Sequence, residues 1–240
     1  MTGRSICITG TDRGVGLALT RLYLERGDTV FAGGIVKHNA AMDELRATYA
    51  GRLFDFYVDI GDDRSVQEAA AFVRSRTERI DLLVNNAAIL GDMTKTIRDE
   101  IDFDEVVRNF NITALGAIRM TNALLAPILA GGKLIVNISS EAGSIAQSYR
   151  EAWFGYCMAK AALNMGSTIV HNDIRRDGGR VLLLHPGWVK SWLSGVYTEE
   201  ATYTPEEAAA NIARTIDERG GELHERPLYL EADTGRALPW

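Results

Sequence analysis

The stretch Ser5–Gly16, which reads Ser-Ile-Cys-Ile-Thr-Gly-Thr-Asp-Arg-Gly-Val-Gly, decides the fold. Its first five residues form an apolar run with a β-branched bias, and a glycine-rich turn leads into helical periodicity from Leu17 to Arg26. A strand, a glycine turn and a helix in this order bring unpaired N–H groups and the positive end of a helix dipole to one point. The sequence therefore predicts a phosphate-binding turn; the alternative is a plain tight turn.

Strand-like and helical segments alternate along the rest of the chain. This alternation predicts an α/β fold, a doubly wound parallel sheet of about seven strands with helices on both faces. The carboxyl ends of parallel strands meet at one edge of the sheet, so we expect the functional residues there. The later predicted strands are 29–32, 53–58, 80–84, 132–139, 180–184 and 227–230, and the predicted helices are 17–26, 39–50, 62–77, 101–129, one that opens at Tyr156, and 204–219.

The composition is typical of a globular protein and excludes several classes of partner. The net charge is −6 and the Lys and Arg residues are scattered, so no nucleic-acid partner is expected. No apolar run is long enough to span a membrane, and the start shows no leader-like apolar region. Cys7 and Cys157 lack metal-ligand spacing, so we expect reduced thiols, no metal site and a cytoplasmic location.

Tyr156 and Lys160 form the candidate catalytic pair. They lie four residues apart in a predicted helix, so they share one face and the ammonium can lie near the phenol oxygen. A phenol ordinarily has a pKa near ~10, and a nearby cation lowers it, which makes Tyr156 a candidate general acid/base. Ser140, at the end of a predicted strand, can hydrogen-bond the oxygen whose proton moves. The alternative is a helix with a surface lysine and a half-buried tyrosine.

The glycine turn and a later asparagine segment resemble those of a known family. Thr9, Gly10, Gly14 and Gly16 match the Thr-Gly-x-x-x-Gly-x-Gly pattern of the short-chain dehydrogenase/reductase family. The segment Asn85–Ala88 resembles that family's Asn-Asn-Ala-Gly motif, with alanine in place of the last glycine. The extra methyl group restricts the backbone, so this loop can differ slightly from the family's loop.

The segment before the catalytic tyrosine resembles one branch of this family. Ser140 and Tyr156 are 16 positions apart, a few more than is common in the family, with the extra residues in 146–153. This longer loop and the run Gly143–Ile145 resemble the C-factor-like proteins and the sniffer carbonyl reductases. The resemblance covers nearly the whole chain, and it implies one NAD(P)-binding Rossmann-type domain over residues 1–240.

The resemblance implies hydride transfer between a nicotinamide cofactor and a carbonyl or secondary alcohol. Tyr156 is then the proton donor, Ser140 orients and polarises the substrate oxygen, and Lys160 binds the nicotinamide ribose and lowers the phenol pKa. Asn111 resembles the family's helix-kinking asparagine, which holds a water that links the lysine to solvent. Tyr149 is a rival for the role of Tyr156, but tryptophan rather than lysine follows it four residues on.

The end of the second predicted strand indicates the cofactor preference. The segment Gly33–Lys37 has no carboxylate to bind a ribose 2′-hydroxyl, whereas Arg13 and Lys37 offer cations for a 2′-phosphate. NADP(H) is therefore favoured and NAD(H) remains possible; the alternative for Arg13 is a solvated loop cation. The resemblance implies that Asp59 and Ile60 line the adenine pocket, and the alternative for Asp59 is the N-terminal cap of the next helix. The resemblance assigns to the cofactor Gly10, Asp12, Arg13, Gly14, Val15, Gly16, Asp59, Ile60, Asn86, Ala87, Ala88, Tyr156, Lys160, Pro186, Gly187, Val189 and Ser191.

A short substrate lid is predicted at residues 188–204. It is rich in aromatic and apolar residues, which favours an apolar carbonyl substrate; the alternative is ordinary packing. His185, just past a buried strand, is read as structural rather than as a catalytic base. The residues assigned to substrate contact are Trp153, Trp188, Trp192 and Leu193, with Val196 and Tyr197 in the same apolar cluster.

Two other functions remain open from the sequence. One is an NAD-dependent alcohol dehydrogenase, and the other is a nucleotide-sensing or signalling protein without enzymatic activity, since fold does not dictate function. The presence of Ser140, Tyr156 and Lys160 argues against a pure sensor, which needs no proton donor. The family resemblance also implies a homodimer or homotetramer acting on a small molecule.

Overall fold

A computed structural model describes residues 3–193 and 197–240. Seven strands form one sheet, and every neighbouring pair is parallel. The predicted doubly wound fold is therefore confirmed. The strands are β1 Ser5–Thr9, β2 Thr29–Gly34, β3 Leu53–Tyr57, β4 Leu82–Asn85, β5 Leu134–Ile138, β6 Arg180–His185 and β7 Leu228–Glu231.

The strand order is β3-β2-β1-β4-β5-β6-β7. The chain winds outward from β1 in one direction to β3 and then in the other direction to β7. In a sheet of this kind a crevice opens outside the carboxyl ends of the two strands at the switch, here β1 and β4. The topology therefore places a ligand crevice beside the glycine turn that follows β1.

Helices lie between the strands, and several have clear sequence signals at their ends. The last helix begins with a capping box, in which the Thr204 hydroxyl accepts from the Glu207 N–H and the Glu207 carboxylate accepts from the Thr204 N–H. The helices are α1 Gly14–Glu25, α2 Ala40–Thr48, α3 Asp63–Arg74, α4 Phe103–Asn109, α5 Gly116–Ala123, α6 Leu125–Ala130, α7 Phe154–Ile174 and α8 Pro205–Arg219. None of the described helices has the length and apolar character of a membrane span.

The long helix predicted over 101–129 is divided in the structure. A π-helical turn, Phe110–Leu115, separates α4 from α5, and Leu124 separates α5 from α6. Side-chain hydrogen bonds favour this distortion, because the Thr113 hydroxyl donates to the Asn109 amide oxygen and the Asn109 amide donates to the Leu90 carbonyl. π-Helical turns are frequent at functional sites, and this one packs against α7.

The core lies on both faces of the sheet. On β1, Ile6 and Ile8 face one side and Cys7 faces the other, as the alternation of side chains along a strand requires. The first side is covered by α1 and α8, and the second by α3, α5 and α6. All three β1 side chains are fully buried, which fixes the position of the glycine turn that follows them.

Candidate active site

The glycine turn after β1 has the shape of a phosphate cradle. Gly10 has a φ of +71°, and a Cβ at this position would lie 2.7 Å from the Ala87 Cα. A Cβ on Gly16 would lie 2.1 Å from the Gly10 carbonyl oxygen. Helix α1 begins at Gly14 with no side-chain cap and no acidic residue in its first turn. Its first N–H groups are therefore available to an anion, which fits the pyrophosphate of a dinucleotide.

The asparagine segment after β4 holds this turn in place. The Asn86 amide donates to the Thr9 and Gly10 carbonyls at 3.0 and 3.1 Å. The Thr9 hydroxyl in turn accepts from the Asn86 and Ala87 N–H groups. Asn85 is buried and donates to Asn137 on β5 at 2.8 Å. The segment therefore ties β1, β4 and β5 together at the carboxyl edge.

Two cations and one carboxylate surround the end of β2. Asp12 accepts from the Ile35 and Val36 N–H groups at 3.0 and 2.8 Å, which fixes the glycine turn to the β2 end. Arg13 is exposed, and the Lys37 ammonium lies 5.3 Å from the Tyr57 ring centroid. Both cations border the edge where the ribose of a dinucleotide would approach. The sequence reasoning did not anticipate the structural role of Asp12.

Asp59 and Ile60 differ in what they offer to a cofactor. The Asp59 carboxylate accepts from the Gly61 N–H at 2.8 Å, whereas Asp62 caps α3 by accepting from the Ser65 N–H. The alternative reading of Asp59 as the helix cap is therefore wrong. Ile60 is only 5% exposed and packs in the core. Its side chain supports the loop from below and offers little surface to a ligand.

Ser140, Tyr156 and Lys160 come together at the carboxyl edge of β5. Tyr156 and Lys160 lie on the buried face of α7, with the Lys160 Nζ 5.5 Å from the Tyr156 ring centroid. Ser140 follows β5, and its hydroxyl lies close enough to the phenol to affect the pKa of Tyr156. The Lys160 Nζ donates to the Ile138 carbonyl at 2.6 Å. Tyr149, the rival by position, is 80% exposed.

The titration of this pair differs from the sequence-based expectation of a lowered phenol pKa. Burial raises the pKa of Tyr156, and the hydrogen bond with Ser140 opposes that rise. Burial also lowers the pKa of Lys160 to about 7. Both groups are removed from water, which disfavours the phenolate and the ammonium alike. The polypeptide alone therefore does not produce an acidic phenol.

A carboxylate and a guanidinium next to Ser140 were not anticipated from the sequence. The Ser140 hydroxyl donates to Glu141 at 2.5 Å, and Arg150 forms a salt bridge with the other Glu141 oxygen. Burial disfavours the Glu141 carboxylate, but the Ser140 hydrogen bond, His185 and Arg150 outweigh it and lower its pKa. Glu141 is therefore ionised at neutral pH and holds the Ser140 hydroxyl.

Buried polar groups beneath Ser140 were also missed. The Tyr229 phenol on β7 donates to the Ser140 carbonyl at 2.5 Å. Asn164 on α7 accepts from the Ser139 hydroxyl at 2.6 Å and donates to the Gly143 carbonyl at 3.2 Å. These bonds fix both ends of the turn that carries Ser140. Only the spacing of Asn164, one helical turn after Lys160, hinted at its direction.

The Asn111 side chain makes contacts that the sequence reasoning did not predict. Its amide donates to the Gly61 carbonyl at 2.9 Å, and its oxygen accepts from Arg119 at 2.8 Å. The π-helical turn rotates this side chain toward the loop after β3, and no contact in the described part of the chain joins it to Lys160. The buried asparagine on the side of the β4 loop is Asn109, which bonds the Leu90 carbonyl. The predicted role of Asn111 in holding a water near Lys160 stays a prediction.

The loop after β6 carries exposed aromatic side chains. Trp188 and Trp192 are 57% and 51% exposed, and Leu193 is also exposed. Val189 pairs with Tyr203, and the Lys190 N–H donates to the Tyr203 carbonyl at 2.8 Å. The Ser191 carbonyl accepts from the Thr198 N–H. Val196 of the predicted lid lies outside the described residues.

The remaining predicted residues border the same crevice. Trp153 packs edge-on to Tyr156, with ring centroids 6.2 Å apart, and has a left-handed backbone conformation with φ +70°. Non-glycine residues in this conformation are strained and cluster at functional sites. His185 is half-buried, its Nδ1 has no hydrogen-bond partner among the described residues, and burial lowers its pKa. Val15 lies in the first turn of α1, and Pro186 and Gly187 lie in the loop that follows β6.

A phosphate cradle at the switch of a doubly wound sheet, next to a buried phenol and amine, defines the class of nucleotide-dependent oxidoreductases. The sequence profile described as "short chain dehydrogenase" matches residues 4–201. The chain belongs to the short-chain dehydrogenase/reductase family, whose members are enzymes of the dehydrogenase or reductase type.

Individual relatives support the same assignment and the predicted branch. A 1-hydroxy-2-glutathionyl-2-methyl-3-butene dehydrogenase from Rhodococcus sp. (strain AD45) is 29% identical over 237 residues, 98% of this chain and 99% of that protein. The C-signal protein of Myxococcus xanthus is 32% identical over 165 residues, 68% of this chain and 95% of that protein. An NADPH-bound carbonyl reductase from chicken fatty liver has a TM-score of 0.86 and 26% identity, with all of both chains covered. The similarity to the C-factor-like and sniffer-like branch is thereby confirmed.

Proposed function

We propose that this protein is an NADP(H)-dependent carbonyl reductase that interconverts a small carbonyl compound and a secondary alcohol. The observation that carries this proposal is the buried Tyr156 ring, which has the Lys160 Nζ 5.5 Å from its centroid and Ser140 beside it, at the edge where the glycine turn lies. The chicken carbonyl reductase with bound NADPH, which matches over its full length, supports the same conclusion.

Each of the three side chains has a task that follows from its chemistry. Tyr156 gives its proton to the substrate oxygen during reduction and takes it back during oxidation. Ser140 orients that oxygen, and its hydroxyl first has to turn away from Glu141, to which it donates. Lys160 binds the nicotinamide ribose, and its charge counteracts the raised phenol pKa. When bound, the nicotinamide supplies the hydride.

The preference for NADP(H) rests on the charges around the β2 end. The exposed Arg13 and Lys37 suit a 2′-phosphate, and the one nearby carboxylate, Asp12, is neutralised in part by two backbone N–H groups. Titration of tryptophan fluorescence with NADPH and with NADH compares the two cofactors directly. We expect tighter binding of NADPH; equal or tighter binding of NADH would support the alternative of an NAD-dependent alcohol dehydrogenase.

The substitution Tyr156→Phe tests the proposed chemistry. It removes the proton donor and leaves the ring, so NADPH consumption should fall by about 10²–10⁴-fold. NADPH binding, measured by fluorescence quenching, should change little. A panel of ketones, aldehydes and quinones serves as substrates. Turnover that survives in the variant contradicts the role of Tyr156, and a wild-type protein that binds NADPH but reduces no carbonyl supports a non-enzymatic function.

A homodimer or larger homo-oligomer is part of the proposal. The outer face of α7 exposes Met158, Met165 and Ile169, and α4, which packs against α7, exposes Phe103 and Val107. Exposed apolar side chains on two neighbouring helices are typical of protein interfaces. Light scattering coupled to gel filtration should show a dimer or tetramer, and Met165→Glu should dissociate it.

A cytoplasmic location is also part of the proposal. Cys7 and Cys157 are both unpaired, which is typical of proteins in a reducing compartment.

A further inference from the structure

The long loop between Ser140 and Tyr156 places one arginine against the catalytic site. The Arg150 guanidinium lies over two aromatic rings, 4.7 Å from the Trp153 centroid and 5.0 Å from the Tyr149 centroid. Its side chain is only 13% exposed. Stacking on aromatic faces holds a guanidinium in one plane and leaves its N–H edge free for a ligand.

Most of the hydrogen-bonding capacity of this guanidinium is unused. Of five N–H donors, the described contacts engage one, the NH2 group that pairs with Glu141. The Arg180 Nε is fully buried and has no hydrogen-bond partner, whereas no Arg150 nitrogen is both fully buried and without a partner. The remaining donors therefore open toward space that solvent or a ligand can enter. A planar fork with free donors is the group that proteins use for carboxylates.

Arg150 lies near the proposed proton donor, Tyr156. Trp153, on which the guanidinium stacks, packs edge-on against the Tyr156 ring, and Glu141, its ion-pair partner, holds the Ser140 hydroxyl. The guanidinium thus lies one aromatic ring away from the phenol that donates the proton. A substrate whose oxygen reaches Tyr156 can extend a second group to Arg150.

We propose that Arg150 is a substrate-recognition residue that binds a carboxylate on the carbonyl or alcohol substrate. The substrate class is then an oxo or hydroxy acid, with the carboxylate separated from the reacting carbon by about the width of an aromatic ring. This inference rests on the proposed function, because it assigns the second end of the same substrate. It replaces the wholly apolar substrate that the aromatic lid predicted.

Glu141 shows that a carboxylate fits against this guanidinium, and it also limits how strongly a second one binds. One Glu141 oxygen faces Arg150, and the other accepts from the Ser140 hydroxyl and from the Ala142 N–H at 2.6 Å. A substrate carboxylate must share the guanidinium with this charge. Removal of the Glu141 charge should therefore strengthen the binding of an anionic substrate, whereas removal of the Arg150 charge should weaken it.

A matched pair of ligands measures this recognition without turnover. Isothermal titration of 4-acetylbenzoate and of its methyl ester into the protein loaded with NADP⁺ compares an acid with a neutral ketone of the same shape. We expect the acid to bind about tenfold more tightly than the ester, in keeping with a charge-assisted hydrogen-bond pair. Arg150→Met should abolish this ratio, and Arg150→Lys should retain part of it.

Two further variants separate recognition from structure. Glu141→Gln should increase the ratio of acid to ester affinity, which is the opposite of the Arg150→Met effect and cannot come from misfolding. Arg64→Met removes an exposed arginine of α3 that pairs with Glu68, and it should leave the ratio unchanged. Because each ratio is taken within one variant, an effect of Glu141 on Ser140 cancels.

Several outcomes overturn the inference. Equal affinity for acid and ester in the wild-type protein, or no binding of the acid at millimolar concentration, rules out a carboxylate site at Arg150. Equal weakening of both ligands by Arg150→Met shows a structural role for the loop instead. Failure of the proposed function is distinct from these results, since it appears as an absence of carbonyl reduction with NADPH while the acid preference in the NADP⁺ complex persists.

Discussion

The two sides of the crevice are built in different ways. On the cofactor side, the Asn86 amide and the Thr9 hydroxyl bind backbone groups, and glycines are required because a Cβ would meet neighbouring backbone atoms. On the substrate side, side chains from distant segments form the site, such as Tyr229 with Ser140 and Arg150 with Glu141. The cofactor side therefore depends on the close approach of backbone segments, whereas the substrate side depends on charges and buried hydrogen bonds.

The largest effect is expected for a methyl group on the cofactor side. In Gly16→Ala, the Cβ would lie 2.1 Å from the Gly10 carbonyl oxygen and 2.6 Å from the Asn86 amide nitrogen. The turn must open to relieve this contact, because backbone rather than a flexible side chain is in the way. We expect NADPH affinity, measured by fluorescence titration, to fall by roughly 100-fold or more, which equals ~2.7 kcal/mol or more.

Gly14, on the same turn, provides a control for this prediction. Gly14 also has positive φ, but a Cβ there has no neighbour within 4 Å. Gly14→Ala should therefore cost only the strain of an unfavourable backbone conformation, about 1–2 kcal/mol in stability. If both variants lose NADPH binding to the same degree, steric closeness does not explain the need for glycine at position 16.

Lys160 should make the free energy of unfolding depend on pH when no cofactor is bound. Burial lowers its pKa to about 7 from an ordinary 10.5, so between these values the unfolded chain binds more protons than the folded chain. Stability then rises with pH, by on the order of 1 kcal/mol per unit from about pH 7 to about pH 9. Below the folded pKa, the full cost of burying the ammonium is present.

Urea unfolding of the wild type and of Lys160→Met at several pH values checks this expectation. The variant has no amine to titrate, so its stability should change much less over the same interval. Parallel curves for the two proteins would show that the slope comes from other groups. Addition of NADP⁺ should also flatten the wild-type slope if a bound ribose stabilises the ammonium.

The smallest effect on activity is expected for Tyr229→Phe on the substrate side. The phenol donates to the Ser140 carbonyl and is 3% exposed, so its loss leaves that carbonyl without this partner. We expect a loss of about 1–3 kcal/mol in stability and a decrease in kcat of a few fold, with the KM for NADPH unchanged. A change in NADPH affinity as large as that in kcat would contradict the separation of the two sides.

Much of the fold could be predicted because it depends on local patterns. The apolar runs and the helix-forming segments between them gave the α/β class, and the Thr204–Glu207 capping box marked the start of the last helix. The division of the segment 101–129 by a π-helical turn could not be predicted. It depends on two hydrogen bonds with the loop after β4: the Asn109 amide donates to the Leu90 carbonyl, and the Thr113 hydroxyl accepts from the Ile89 N–H. These partners are 19 and 24 residues apart in sequence and meet only when the chain folds.

The candidate site likewise has features that the sequence predicted and features that it did not. Ser140, Tyr156 and Lys160 were predicted from spacing and resemblance, and the structure places all three at the carboxyl edge of β5. The titration of Tyr156 and Lys160 was not predictable, since it depends on how completely the folded chain removes both groups from water. The direction of the Asn111 side chain could not be predicted either, because it depends on the π-helical turn in which Asn111 lies.

By itself, the sequence determined the order of strands and helices, the glycine turn and the residue types available for proton transfer. These features follow from hydrophobic periodicity, from the backbone freedom of glycine and from spacing along one helix. Only the tertiary structure decided that Glu141 holds the Ser140 hydroxyl and that Arg150 stacks on Trp153. Such pairs depend on distances of a few ångström between separate segments, and no local pattern encodes those distances.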